Sequence, residues 1–236
     1  MEIAREMKRF WKQVTVEAAG GGYLIALDGR AVKTQGGAAQ VLPTLPVAKA
    51  LAAEWAGQGE TIDPAKFILR DLADFAIDSV AADRPGAIET LLRYAETDTL
   101  CYRADPEDAL RARQEELWEP LIMAAEARWD LHFPRVTGIV HQRVPAPTLA
   151  RLCKVLDAQD DLTLSALTTM ASLAASLIIA LAALQDGADA DSLWAAAELE
   201  EQWQADLWGR EEEAEDRRAR RLVAFGAAMG FAGLVG

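Results

Sequence analysis

Histidine and cysteine are scarce in this chain: its 236 residues include 2 of each. His132 and His141 stand in no motif with a nucleophile or a paired ligand, which disfavours imidazole-based catalysis and metal binding. Cys101 and Cys153 lie far apart and in no metal-ligand spacing. They read as reduced thiols in a cytosol-like compartment. Positive charge is also in deficit. The 24 Lys and Arg residues against 37 Asp and Glu give a net charge of −13. A nucleic-acid binder needs basic surface to replace counterions, and attachment to anionic membranes needs the same, so both classes are disfavoured. An acidic surface serves solubility first, and basic patches on a partner second.

Catalytic motifs are missing as well. The sequence contains no G-x-S-x-G, H-E-x-x-H, G-x-x-x-x-G-K-[ST] or G-x-G-x-x-G element. Gly20-Gly21-Gly22 lies between two strand-like runs and opens no helix, so it reads as a turn and not a phosphate cradle. Neither a catalytic residue nor a cofactor nor a metal is called for. The start of the chain, Met1-Glu2-Ile3-Ala4-Arg5-Glu6, lacks the apolar run of a secretion signal and is too acidic for a transit peptide. A bacterial cytoplasm is the expected location, or the mitochondrial matrix for a chain already processed. Leu162 to Leu184 is free of charge and long enough to cross a bilayer. It is diluted by Thr163, Ser165, Thr168, Thr169, Ser172 and Ser176, and no flanking cluster of Lys or Arg sets an orientation. A buried helix is expected there, without stable membrane insertion.

What is present is a globular composition, 51% hydrophobic and 26% charged. The pattern is α+β. Val14-Thr15-Val16 and Tyr23-Leu24-Ile25-Ala26-Leu27 read as strands, and Asp28-Gly29 offers a tight hairpin turn before Ala31-Val32-Lys33-Thr34. Helical spacing is expected over 46–58, 69–81 and 87–96, the second helix ending before Arg84-Pro85-Gly86. Residues 97–103 look extended. Further helices are expected at 107–129, 147–157, 162–184, 189–208 and 211–232. Asp160 and Asp161 form an acidic helix start, Asp189 or Asp191 caps the 189–208 helix, and Gly209 lies beyond its end. This organisation gives an N-terminal β-containing domain over 1–104 and a C-terminal helical bundle over 105–236. A strand within 133–144 returns to the first domain.

The segment Leu199–Gly209 combines two adjacent carboxylates, a glutamine and two tryptophans. On a helix, Leu199, Trp203 and Leu207 share the ridge expected to face inward, while Glu200, Gln204 and Trp208 form the ridge beside it. Glu201 turns further toward solvent. Such a carboxylate is either an ion-pair partner or part of a recognition surface, and its residue type alone favours the former. Seven tryptophans are spread along the chain. Packing accounts for most of them, but tryptophan is also enriched in binding hot spots, and Glu54-Trp55 and Trp208 sit beside polar residues as an interface would require.

Several short stretches occur in a recognisable order. They are Arg9-Phe10-Trp11-Lys12, Leu27-Asp28-Gly29-Arg30 with Lys33-Thr34, Ala53-Glu54-Trp55 with Gln58, and Thr97-Asp98-Thr99-Leu100-Cys101-Tyr102-Arg103. Gln114 with Trp118-Glu119-Pro120 follows, then Leu199-Glu200-Glu201 with Gln204 and Trp208-Gly209. In this order the chain resembles the chaperone family that assembles the F1 sector of ATP synthase, whose mitochondrial members are called F1 complex assembly factor 2. Gln35, where the family often has proline, and the run Arg210–Arg221 depart from the pattern. The resemblance implies a non-enzymatic chaperone with a small β-containing domain followed by an orthogonal helical bundle. It implies that the client is the free F1 α subunit, held with its β-contacting surface shielded, and that Glu200 and Glu201 are needed for function. Gln204, Trp208, Glu54 and Trp55 complete the candidate partner-binding set. A monomer is favoured. The alternatives are an enzyme using acidic residues in an interdomain cleft, and an oligomeric structural module with the tryptophans in a self-interface.

Overall fold

A computed structural model describes residues 7–235, so the reading of Met1–Glu6 lies outside the described residues. Strands β1 (Val14–Ala19) and β2 (Gly22–Leu27) pair antiparallel, from Val14 opposite Leu27 to Ala19 opposite Gly22. β3 (Arg30–Ala31) joins the other edge of β2. Asp28 and Gly29 between them take φ of 49° and 78°. Two consecutive positive values match the right-handed twist of a hairpin. Asp28 is held there by its own carboxylate, which accepts the backbone N–H groups of Lys12 and Gln13.

Helix α1 (Leu45–Ala56) covers the apolar face of this sheet and buries Val47, Ala48, Leu51 and Trp55. Its start is set by Thr44, whose hydroxyl accepts from the Val47 N–H, and by proline in the first turn. α2 (Ile68–Phe75) runs on into a wide π turn over Ala76–Val80, so the expected 69–81 helix is present with a loosened end. α3 (Arg84–Glu96) starts earlier than expected. Arg84-Pro85-Gly86 opens this helix: Asp83 caps the Gly86 N–H at 3.0 Å, and proline occupies a first-turn position that needs no donor.

Residues 97–103 are not extended throughout. A single 3-10 turn over Thr99–Cys101 leads into the short strand β4 (Tyr102–Arg103). The Asp98 carboxylate enforces this turn by accepting the Leu100 N–H at 3.1 Å. α4 (Ala109–Trp129) follows, then β5 (Val136–Thr137), which pairs parallel with β4 as the strand expected within 133–144. α5 spans Ala146–Asp157.

Two expected helices are each broken in two. The apolar run divides into α6 (Asp161–Ala174) and α7 (Leu177–Ala182), with Ala175 left-handed at φ 48° and Ser176 capping the Ile179 N–H. Asp98 accepts the Ile178 N–H at 2.9 Å, so a distant carboxylate holds the second start. The 189–208 helix divides into α8 (Ala190–Ala197), capped by Asp189, and α9 (Leu199–Trp208), with Glu198 at the joint. Neither break contains proline or glycine, and periodicity alone passes over them. α10 (Glu212–Val235) closes the chain.

α6 lies at the centre, packed on α10, α7, α3 and α2. α10 also reaches α1, and the Thr44 hydroxyl donates to the Leu234 carbonyl at 3.0 Å. One contiguous cluster of buried side chains runs from Trp11 to Ala232. Among the described residues no helix is long and apolar enough to cross a membrane.

Candidate functional surface

α9 is anchored by its first turn and free at its last. Leu199 is buried and Glu200 half-buried, but Trp203 is only half-buried and Leu207 is 63% exposed. The inward ridge expected from spacing therefore sinks only at its first residue. α9 packs against α4 and α8 near its start, and its C-terminal half stands off the core. Trp208 is 86% exposed and Gln204 exposed, so the Gln204 and Trp208 ridge is presented to solvent. Gly209, at φ 103°, takes a conformation that other residues rarely adopt and ends the helix.

The two adjacent glutamates diverge. Glu200 accepts a hydrogen bond from the side-chain amide of Gln114 at 2.7 Å. Gln114 is fully buried, and its own oxygen accepts from the Ala104 N–H at 2.7 Å. Burial pushes the Glu200 carboxyl above its ordinary range, while Gln114 and the nearby Arg103 guanidinium pull it back. Beneath lies Trp118, wholly buried, with its indole N–H on the Ala196 carbonyl at 2.7 Å and the Arg103 guanidinium over its ring. Arg103 pairs with Glu119 at 3.1 Å, and Glu119 pairs with Arg135 at 2.6 Å. The neighbouring stretches around Arg103 and Gln114 and the one around Glu200, 86 residues beyond Gln114, therefore meet at Glu200.

Glu201 faces the other way. It is largely exposed and lies 3.7 Å from Arg221 of α10. The same guanidinium pairs with Glu198 at 3.0 Å, donates to the Leu173 carbonyl and lies over Trp194. Glu198 is 3% exposed and was not among the sequence candidates, because nothing in its spacing marks the helix break that turns it inward. Burial raises its carboxyl, and the negative charge of Glu201 adds to that. Gln114, Arg103, Glu119 and Glu198 are the supporting residues that sequence reasoning did not assign. The first three sat in plain view within the resemblance stretches.

Glu54 and Trp55 belong to a different cluster. The Glu54 carboxylate accepts the Leu69 and Arg70 N–H groups at 2.7 and 2.9 Å, capping the start of α2. Burial nevertheless leaves its carboxyl raised. Trp55 is 9% exposed and packs edge-on to Trp11 at 5.1 Å and against Phe67 at 4.6 Å. Trp55 lines a surface cleft with Phe10 and Arg30. Among the described residues no group of acidic, histidine or cysteine side chains could hold a metal ion.

A family model described as the ATP12 chaperone protein matches residues 8–126. The chain belongs to the ATP12 chaperone family. Members of this family are chaperones of ATP synthase assembly and not enzymes. Two solved structures of Atp12 from Paracoccus denitrificans, one with a single aspartate-to-lysine substitution, are 34% identical to this chain. They superpose with a TM-score of 0.90, covering 97% of this chain and 98% of theirs. A protein of Agrobacterium tumefaciens is 36% identical with a TM-score of 0.92, over 97% of this chain and 86% of its own. The mitochondrial atp12 protein of Schizosaccharomyces pombe is 26% identical over 221 residues, 89% of this chain and 76% of that protein. The family model ends within α4, while the whole-chain structural matches extend through the ATP12 helices beyond it.

Proposed function

We propose that this ATP12-family protein binds the free α subunit of F1 and shields its β-contacting surface until assembly. The observation that carries the proposal is α9, where Leu207 and Trp208 are exposed beyond a half-buried carboxylate held by Gln114. An unassembled subunit exposes an interface that resembles a core cut in half, and it aggregates unless covered. A short apolar end rimmed by charge can cover such a surface and still let go, since a few anchors carry most of the affinity and rim charges govern encounter.

In this reading Trp208 is the anchor, Gln204 and Glu200 form the polar edge on one side, and Glu201 forms the rim on the other. Glu54 and Trp55 belong to a second contact area near the sheet. The bacterial relatives, together with the family role, support a bacterial cytoplasm as the site of action.

The test is capture of the organism's own α subunit and suppression of its aggregation. Glu200→Lys and Trp208→Ala are expected to lower capture about tenfold or more, the size of a hot-spot loss, with Tm shifted little for the exposed Trp208. Failure of the unaltered protein to capture the α subunit would sink the proposal. Loss of capture only in variants whose melting transition has collapsed would make Glu200 a structural residue.

A further inference from the structure

The sheet end of the molecule carries a cleft of about 550 Å³ lined by Phe10, Leu27, Arg30, Val32, Lys33 and Trp55, with Asp28 at its rim. Four features of this cleft point to one kind of occupant. First, its charge runs against that of the protein. Its lining carries two bases, Arg30 and Lys33, against one acid, Asp28, within a chain of net charge −13. Arg30 and Lys33 are exposed, and neither makes an ion pair among the described residues. The one carboxylate at the rim, Asp28, is already committed to the Lys12 and Gln13 N–H groups, which hold it below its ordinary range.

Second, Phe10 is 71% exposed, with its ring edge-on to Trp11 at 4.9 Å. An aromatic side chain has few rotatable bonds and loses little entropy on contact with an apolar side chain. Third, Trp55 is nine-tenths buried, and its indole N–H has no acceptor among the described residues. That N–H is itself enclosed, so what Trp55 offers an occupant is the part of its ring that lines the cleft. Fourth, β3 is the edge strand of the sheet, and Arg30 and Ala31 of that strand line the cleft. An edge strand can pair with an added extended chain.

We propose that this cleft docks an extended, acidic segment of a client polypeptide, with carboxylates on Arg30 and Lys33 and an apolar side chain against Phe10 and the Trp55 ring. A second area far along the chain from α9 gives the chaperone two-point contact, and linking two weak sites raises holding strength without a tight bond at either.

The probe is a short fluorescein-labelled peptide of alternating Glu and Val residues, with a Lys and Val peptide as its counterpart, titrated into the full-length protein. The Glu/Val peptide is expected to bind, and the Trp55 indole N–H signal, assigned through its loss in Trp55→Phe, is expected to shift on saturation. The doubly reversed Arg30→Glu, Lys33→Glu variant is expected to weaken binding about tenfold or more, and Phe10→Ala by several-fold. Both alter exposed residues, and an unchanged Tm confirms that the fold is intact. No binding of the Glu/Val peptide overturns the inference. So does equal binding of the Lys/Val peptide, an unmoved Trp55 signal, or undiminished affinity in the reversed variant. A concentration-dependent dimer that the reversed variant abolishes would give the cleft to a second copy of the chain and overturn it too. Because the probe is a peptide and not the F1 α subunit, this result stands apart from the identity of the client.

Discussion

Trp118 and Trp55 are both buried, yet they are buried differently. Trp118 has its indole N–H on the Ala196 carbonyl at 2.7 Å, the Arg103 guanidinium over its ring and no exposure to solvent. Trp55 sits in a stack with Trp11 and Phe67, and its N–H and that of Trp11 meet no acceptor. Around Trp118 and Gln114 the support of α9 is closed: their polar atoms are satisfied from within, although Trp194 and Arg218 nearer α10 keep unpaired N–H groups among the described residues. Among the described residues the sheet region also holds unpaired buried donors, Trp11 and Trp55, with unpaired cations at its rim. A closed support holds a recognition element rigid. A cleft with unpaired cations at its rim is where a partner's carboxylates gain most.

The largest expected contrast comes from replacing each tryptophan by phenylalanine. Trp118→Phe strands the buried Ala196 carbonyl, so it should destabilise by about 1–3 kcal/mol more than Trp55→Phe, which removes no hydrogen bond. Urea unfolding of both variants measures the difference, and equal losses would erase the distinction between the regions.

A smaller effect is tied to pH. Asp98 is wholly buried between the 3-10 turn and the start of α7, and desolvation raises its carboxyl from 3.8 to about 6, against the hydrogen bonds it accepts. A raised carboxyl binds its proton more tightly in the folded than in the unfolded chain. Its contribution to stability is therefore fullest below the ordinary value and declines as pH rises through about 6. Asp98→Asn should flatten the fall in unfolding midpoint across that window relative to the unaltered protein. An unchanged slope would show that Asp98 does not titrate there. No corresponding decline is expected from Asp28 in the sheet region, whose carboxyl is lowered and exposed.

The smallest effect belongs to the rim. Glu201 is 69% exposed and 3.7 Å from Arg221, so Glu201→Gln should move stability by less than about 0.5 kcal/mol while still altering the salt dependence of client capture. A large stability loss would place Glu201 with Glu198 in the structural ion-pair network.

Local signals were legible along much of the chain. Asp28-Gly29 specified its hairpin, Asp160 and Asp189 marked helix starts, and Gly209 marked an end. The candidate surface was legible in part. Gln204 and Trp208 are exposed as a helical wheel puts them, and Glu201 turns away from Glu200. Other assignments failed for a common reason. Leu207 is apolar and was placed inward, but only the first turn of α9 finds a neighbour to pack on. Glu198 gave no sign of burial, because the break that turns it toward Arg221 contains no breaker residue.

By itself the sequence determined the element types, the acidic surface, the lack of catalytic motifs and, through its ordered stretches, the family. These follow from propensities and from short-range patterns that act within a few residues. Only the tertiary structure decided which carboxylates are committed and which are offered. Asp98 holds the start of α7, Glu54 caps α2 and Glu198 holds α10, whereas Glu200 is half-offered at the edge of a closed support. A carboxylate's role depends on burial and on the donors that reach it, and those donors arrive from parts of the chain that no local pattern connects.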